Sequence, residues 1–382
     1  KIVNNQNFQF NIGTYDFLGI GNENERSMNW NPKKQNFGDI YWENNYDRYK
    51  IQFKSSIFEE KIIDLGNENF PPFDGTAIDN HYSTIRNTHY LRYNRYSDFY
   101  NINSLFSYSS TKFNKEQYYI DLINNSSEQT TSIEYNSQDL FSSFYNRLEY
   151  NRFSSDIYKV QIGLDFNYEE VKGPKIKEGN ASVFEQSFFF QSNMKITNNL
   201  NTQLGIRIPY HSIYSAPIIP SLYLKYDFSP KLTIRTSYAR GFRAPSIKEL
   251  FLEFIDSNHN IVGNQDLDAE KSHSLQASVS YFPIREANNF LSFNGEFYLN
   301  DLENQISLAQ IQNSNEYTYY NIDESLYYGL NLKLKCELGE RNTFDFMWNN
   351  YIVKNNILDY KRPKQNLSAS YSYYEKEYGF GF

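Results

Sequence analysis

The stretch Leu326–Leu338 restricts the fold more than any other feature of the chain. Leu326, Tyr328, Leu330, Leu332, Leu334, Cys336 and Leu338 occupy alternate positions, with Asn331, Lys333, Lys335 and Glu337 between them. On a strand, successive side chains point to opposite faces, so this segment has one apolar and one polar face. Wound as a helix, it would mix the two sets. The rule recurs along the chain. Phe344, Phe346 and Trp348 obey it, as do Leu291, Phe293, Phe297 and Leu299 against Ser292, Asn294, Glu296 and Asn300. Leu232, Ile234 and Tyr238 alternate with Thr233, Arg235 and Ser237. Leu222, Leu224, Tyr226 and Phe228 continue the series, as do Val160, Ile162, Leu164, Phe166 and Tyr168. Near the start, Ile51, Phe53 and Ile57, and before them Phe8, Phe10 and Ile12, keep the same alternation.

These runs reach about 9–11 residues or more, the length a tilted strand needs to cross a bilayer, whereas strands of soluble sheets average about 5–6. Tight turns are expected near Ser154-Ser155-Asp156, Asn198-Asn199, Ser229-Pro230, Pro283–Asn289 and Gly339–Asn342. Longer polar connections are expected near 169–182, 209–220, 240–272, 301–323 and 350–365. Short and long connections alternate, as at the two ends of an outer-membrane barrel, and the count comes to about seventeen strands. A soluble propeller or solenoid would carry a repeated unit of fixed period, which this sequence lacks.

Composition supports a lipid-facing wall. The chain has 35 Tyr and 31 Phe among 382 residues, yet its mean hydropathy is −0.70. Its apolar residues are therefore largely aromatic and spread evenly, as in strands that carry aromatic girdles. No window approaches the ~20 apolar residues of a membrane-spanning helix. A net charge of −8 argues against a nucleic-acid partner. Cys336 is the only cysteine, so there is neither an internal disulfide framework nor a Cys-based zinc site. It falls in a row of outward apolar positions and reads as a small hydrophobe. Nothing in composition divides the chain, so residues 1–382 are expected to form one transmembrane antiparallel β-barrel unit. Lys1 is not a natural start, and Glu375-Lys376-Glu377 interrupts the last strand, so both ends are expected to be incomplete.

The apolar face must meet lipid, which cannot satisfy polar groups, and the Lys, Arg, Glu and Asn face must meet water or a polar plug. A wall of this size encloses a lumen too wide for side chains to fill. The function is thereby restricted to passage of something across the outer membrane. Catalysis finds no support. The sequence has no Gly-x-Ser-x-Gly elbow, no His-Glu-x-x-His helix and no Gly-rich phosphate loop. Ser272 and His273 adjoin, but neighbours on a strand point to opposite faces.

Residues 238–281 carry a more specific pattern. Tyr238-Ala239-Arg240 leads into Phe242-Arg243-Ala244-Pro245 and then Ser246-Ile247-Lys248-Glu249-Leu250. After a loop come Gly263, Asn264, Gln265, Asp266 and Leu267. This resembles the Phe-Arg-Ala-Pro and Asn-Pro-x-Leu segments of TonB-dependent outer-membrane receptors. Gln265 stands where the second motif usually has Pro. The approach strand Ala216-Pro217 to Tyr226 is also similar to that family, as are Trp30–Lys34 and Ala77–Arg86. The Asn- and Lys-rich, Cys-poor texture resembles receptors of Bacteroidetes.

The resemblance implies a barrel of about 22 strands when complete, with an N-terminal plug and TonB box that this chain does not show. It implies import of a metal-containing small molecule, haem or a ferric siderophore first and a corrinoid next, driven by the inner-membrane proton gradient through the TonB complex. No intrinsic cofactor is implied. A surface lipoprotein is a further possible partner beside the outer-membrane lipid. Two other readings stay open: a passive porin-like channel, and a surface scaffold or adhesin barrel.

His259 lies between the two motifs, where a histidine of haem receptors in this family can ligate the iron; a neutral imidazole nitrogen suits that role. The alternative is a loop histidine shaping a turn. Arg243 and Glu249 are read as structural, a lumenal arginine held by carboxylates that positions the loop or contacts the plug. His81, His89, His211 and His273 are scattered without metal-ligand spacing, and no metal site is expected.

Overall fold

The computed structural model describes residues 5–21, 26–69, 72, 75–132, 135–153, 157–255, 260–355 and 364–375. Among the described residues nineteen strands form one sheet. They are β1 (Asn5–Phe17), β2 (Lys33–Asn45), β3 (Tyr49–Leu65), β4 (Thr76–Tyr96), β5 (Tyr100–Asp121), β6 (Ser126–Gln129), β7 (Ser137–Phe153), β8 (Tyr158–Lys172), β9 (Asn180–Lys195) and β10 (Leu200–His211). β11 (Ile219–Ser229) and β12 (Leu232–Arg243) precede a short helix α1 (Ile247–Phe251) and two three-residue strands, β13 (Glu253–Ile255) and β14 (Asn260–Val262). β15 (Glu270–Arg285), β16 (Asn289–Gln310), β17 (Tyr317–Leu338), β18 (Asn342–Asn355) and β19 (Lys364–Tyr373) complete the wall.

Each wall strand pairs antiparallel with the next in sequence, except that β5 pairs with β7 and β12 with β15 across their intervening short strands. Sixteen strands make this meander, close to the number read from the alternation. Among the described residues no pairing joins β1 to β19. Both are exposed along almost their whole length, as edge strands with one neighbour are. Tight turns gather at one end, at 46–48, 97–99, 196–199, 230–231, 286–288 and 339–341, and connections of six or more residues at the other. The turn expected at Ser154-Ser155-Asp156 falls on residues outside the described set. Gly339 supplies a left-handed backbone, φ +65°, to the β17–β18 turn, a conformation that glycine adopts without strain.

The outward face carries the expected rows. Leu332 lies opposite Gly295 and Trp348, and Leu334 opposite Phe293 and Phe346. Aromatic ladders bracket it. On the long-loop side Phe144, Phe166, Phe184 and Tyr210 run ring to ring at 5.6, 4.8 and 6.0 Å. On the tight-turn side Tyr100 stacks on Tyr150 and Phe344 packs on Tyr371. On β8 the step from Tyr158 to Tyr168 spans about 33 Å of strand, or roughly 25 Å of membrane at a ~40° tilt, the height of the apolar band of such barrels. No helix of the described residues is long and apolar enough to cross a membrane.

The expected connection 301–323 is mostly strand. β16 and β17 each run 22 residues, and only 311–316 connects them. The reason is an inversion of polarity. Up to Leu299 the outward positions are apolar, but beyond it Asp301 and Glu303 face outward while Leu302 faces inward. The register that runs unbroken to Glu303 and Glu324 fixes these faces. Above the lipid the outer face meets water, so the alternation that marks a membrane strand disappears while the backbone ladder continues. The same inversion occurs on β7–β9, where Phe141, Val171 and Val183 face inward and Glu170, Lys172 and Ser182 outward. Val171, Ala181 and Val183 there form a small buried cluster with Ile176 and Ile247.

Candidate functional site

The inward apolar patch receives the long β12–β15 connection. Ser246 caps α1: its hydroxyl accepts from Glu249 N at 3.3 Å, and Glu249 Oε2 accepts from Ser246 N at 2.7 Å. Both ends of the first turn are thus satisfied reciprocally. Ile247 and Leu250 are buried, and Phe251 packs against the patch on β8–β9. Glu253 N donates to Lys175 O at 2.7 Å, and Leu252 bridges to Ile176. On the far side β14 pairs in parallel with β17 at Tyr317 and Thr318, beyond the last residue where β18 covers that edge. The connection therefore reaches from β9 to β17 across the mouth of the lumen.

The two sequence motifs are the fastenings of this span. Arg243 donates to Glu270 through Nε and Nη2 at 2.6 and 2.7 Å, and through Nη1 to Glu249 at 2.9 Å. One guanidinium thus ties the end of β12, the start of β15 and the helix. Phe242 and Ala244 line the adjoining cavity, and Pro245 is buried before the cap. Asn264 donates from its amide side chain to Tyr319 O at 2.9 Å, and its backbone N–H donates to Glu249 O at 2.8 Å. Its side-chain oxygen accepts from Asp266 N at 2.9 Å. This Asx turn fixes the backbone where Gln265 replaces the proline of the family pattern. Asp266 is exposed, and Leu267 is 3% exposed with its carbonyl accepting from the Tyr214 hydroxyl. His259 lies outside the described residues.

Below this span a cavity of about 620 Å³ opens along the β7–β12 wall. Asp165 is its hub. It accepts from Arg207 and lies 3.4 Å from Arg147, which also donates to Glu149 at 2.6 Å. Both guanidinium groups sit over the Phe189 ring, at 4.9 and 5.5 Å. A Cβ on Gly163 would stand 2.2 Å from that ring, so glycine makes the space in which Phe189 lies flat. Sequence reasoning did not single out Arg147, Asp165, Phe189 or Arg207. Each is an ordinary alternate position of its own strand, and only the cross-strand register brings them together.

The four described histidines are dispersed. His211 is buried and its Nδ1 accepts from Ile213 N and Tyr214 N at 3.1 and 3.2 Å. His89 pairs with Ser55, His273 with Tyr238, and His81 packs on Tyr118. Among the described residues no three His, Cys, Asp or Glu side chains gather as a metal cluster.

The family described as "TonB dependent receptor-like, beta-barrel" matches residues 2–381. The chain belongs to the TonB-dependent receptor barrels. It is 24% identical over 190 residues to the ferrienterobactin receptor of Escherichia coli, covering 45% of this chain and 24% of that protein. It is 25% identical over 95 residues to an iron-regulated outer membrane virulence protein of Vibrio cholerae, covering 24% of this chain and 15% of the relative. With hemoglobin and hemoglobin-haptoglobin-binding protein B of Haemophilus influenzae it shares 29% over 91 residues, 24% of this chain and 8% of the relative. Each match spans under a quarter of the relative's own length. In fold, the receptor barrel is similar to a ferric enterobactin receptor mutant of Pseudomonas aeruginosa in complex with enterobactin. There the TM-score is 0.64 and the identity 14%, covering 97% of this chain and 61% of that one. The siderophore receptor PirA of the same organism gives a TM-score of 0.61 at 13% identity, covering 99% and 70%. The hemophore receptor HasR of Serratia marcescens gives 0.60 at 11%, covering 98% and 66%. The receptor barrel is an outer-membrane, multi-strand protein.

Proposed function

We propose that this barrel serves TonB-dependent import of a metal-containing small molecule, haem or a ferric siderophore, energised by the inner-membrane proton gradient. The family match over residues 2–381 carries the reading. Relatives named for ferrienterobactin and for hemoglobin support the choice of cargo. So does the mouth, where a pinned connection overhangs a charged cavity large enough for such a ligand, within the ~300–1,000 Å³ of small-molecule sites. In the reading, Arg243, Asn264 and Leu267 hold the connection in place while the cavity beneath receives the cargo.

The test is uptake by the native full-length receptor in an outer membrane that lacks other iron receptors. Iron-loaded siderophores and haem are supplied one at a time, with TonB present or deleted. Saturable uptake that disappears without TonB is expected. Uptake that is linear in concentration and indifferent to TonB would mean an open channel instead.

A further inference from the structure

A chain of contacts runs from the end of β10 to the overhanging connection. His211 is the last residue of β10, opposite Glu185 of β9, and its side chain is 2% exposed. Its Nδ1 accepts from Ile213 N at 3.1 Å and from Tyr214 N at 3.2 Å, so the ring caps the turn that follows the strand. With Nδ1 accepting, the ring hydrogen sits on Nε2. Nε2 is buried without a hydrogen-bond partner and faces Glu185 Oε1 at 3.5 Å. The turn brings the Tyr214 ring to 5.4 Å from the imidazole, and the Tyr214 hydroxyl donates to Leu267 O at 2.9 Å.

Two N–H groups aimed at Nδ1 leave that atom no place for a proton, so the turn requires the neutral ring. We propose that His211 is a positioning residue of the mouth: its neutral ring folds the 211–214 turn, and the turn holds Tyr214 against Leu267. Protonation at Nδ1 sets a third donor against two, opens the turn and releases the Leu267 end of the connection. The open turn binds one proton more than the closed one. Closure is therefore complete above the ordinary histidine value of about 6.5 and weakens as pH falls below it. Of the charged groups around the ring, Glu185 faces Nε2 and leaves the Nδ1 bonds untouched. Arg207, on the same face of β10, and Arg147 are taken up by Asp165, and Arg243 by Glu249 and Glu270. Asp268 and Glu249 are the acidic groups near Tyr214. Arg243 and Asn264 fasten the rest of the connection, so the release is confined to 266–269. The assignment goes beyond the import reading and does not depend on it, since it concerns how the mouth is held.

The experiment is hydrogen exchange read by mass spectrometry on the full-length receptor in nanodiscs. Protection, corrected for intrinsic rates, is compared at about pH 7.5 and about pH 5, on either side of the ordinary histidine value. In the wild type, protection of 212–216 and 266–269 is expected to fall about tenfold at the lower pH, the worth of one hydrogen bond. His211→Asn is the conservative variant. Its Oδ1 lies as far from Cβ as Nδ1 does and accepts the same two N–H groups in an Asx turn, but it does not titrate. Both segments should stay protected at both pH values. His211→Phe should leave both unprotected throughout. Tyr214→Phe should expose 266–269 alone and keep the acid dependence of 212–216. A wild type indifferent to pH, any result in His211→Asn other than steady protection, or a protected 266–269 in His211→Phe or Tyr214→Phe overturns the assignment.

Discussion

Arg243 and Glu270 meet through two parallel N–H···O bonds of 2.6 and 2.7 Å, and the Glu270 Oε1 in this pair also accepts from Ile306 N at 2.8 Å. The pair joins the end of β12 to the start of β15 and, through Ile306, to β16. Glu249 closes the arrangement from α1. Three elements of the mouth thus share one planar cation, and a guanidinium offers the fork that two carboxylates require.

Arg243→Ala leaves Glu249 and Glu270 facing each other without a cation. We expect a loss of about 2 kcal/mol in the stability of the 244–269 connection, the scale of a charged hydrogen bond removed from a partly buried pair. Arg243→Lys should recover little, because an ammonium cannot make the paired contact. Limited proteolysis of the connection in the folded receptor reads this directly. Cleavage at the wild-type rate in both variants would show that the arginine does not anchor it.

Burial pushes the Glu249 carboxyl up, but the bonds from Arg243 and Ser246 outweigh it and hold its pKa below the ordinary 4.5. A carboxylate depressed in the folded state contributes fully above its unfolded value and loses that contribution as pH falls through the folded one. Protection of amides 246–252 from hydrogen exchange is therefore expected to be constant down to about pH 4.5 and to weaken below it. Glu249→Gln should flatten that acid dependence. An unchanged profile in the variant would assign the acid sensitivity to another group.

Gly163→Ala is expected to cost about 1–3 kcal/mol, because the added methyl collides with Phe189 and with the Leu148 carbonyl oxygen, 2.7 Å away. Gly205→Ala meets only the Ser221 hydroxyl, which can rotate aside, and should cost less. Urea midpoints of the two variants refolded in lipid vesicles decide the matter; equal shifts would mean that the Phe189 ring moves freely.

Leu332→Arg places a charge in the lipid-facing row and should cost about 2–4 kcal/mol at mid-membrane, whereas Lys333→Glu on the lumenal face is tolerated. Lipid-vesicle unfolding of both variants checks it. Equal penalties would reverse the assignment of inner and outer faces.

His259 remains the proposed haem ligand when haem is the cargo, on the strength of its place between the two motifs. His259→Ala is then expected to weaken haem binding strongly and shift its absorption band. A variant with the wild-type spectrum and affinity loses that role.

The sequence by itself determined the strands, their two faces and the ends at which they turn. Alternation is a property of neighbours along one strand, and lipid on one side with water on the other imposes it residue by residue. Leu326 to Leu338 needed no partner to be read. It also determined the family, because Phe242–Pro245 and Asn264–Leu267 are local strings. Tertiary structure decided the rest. The alternation vanished above the lipid, so 301–323 looked like a loop although β16 and β17 continue through it. Arg147, Asp165 and Arg207 come from three strands, and only register makes Asp165 their shared partner. The inward Phe141 and Val171 looked like any apolar alternates. What they face was settled by α1 folding back across the mouth, a contact between residues far apart in sequence that no local pattern records.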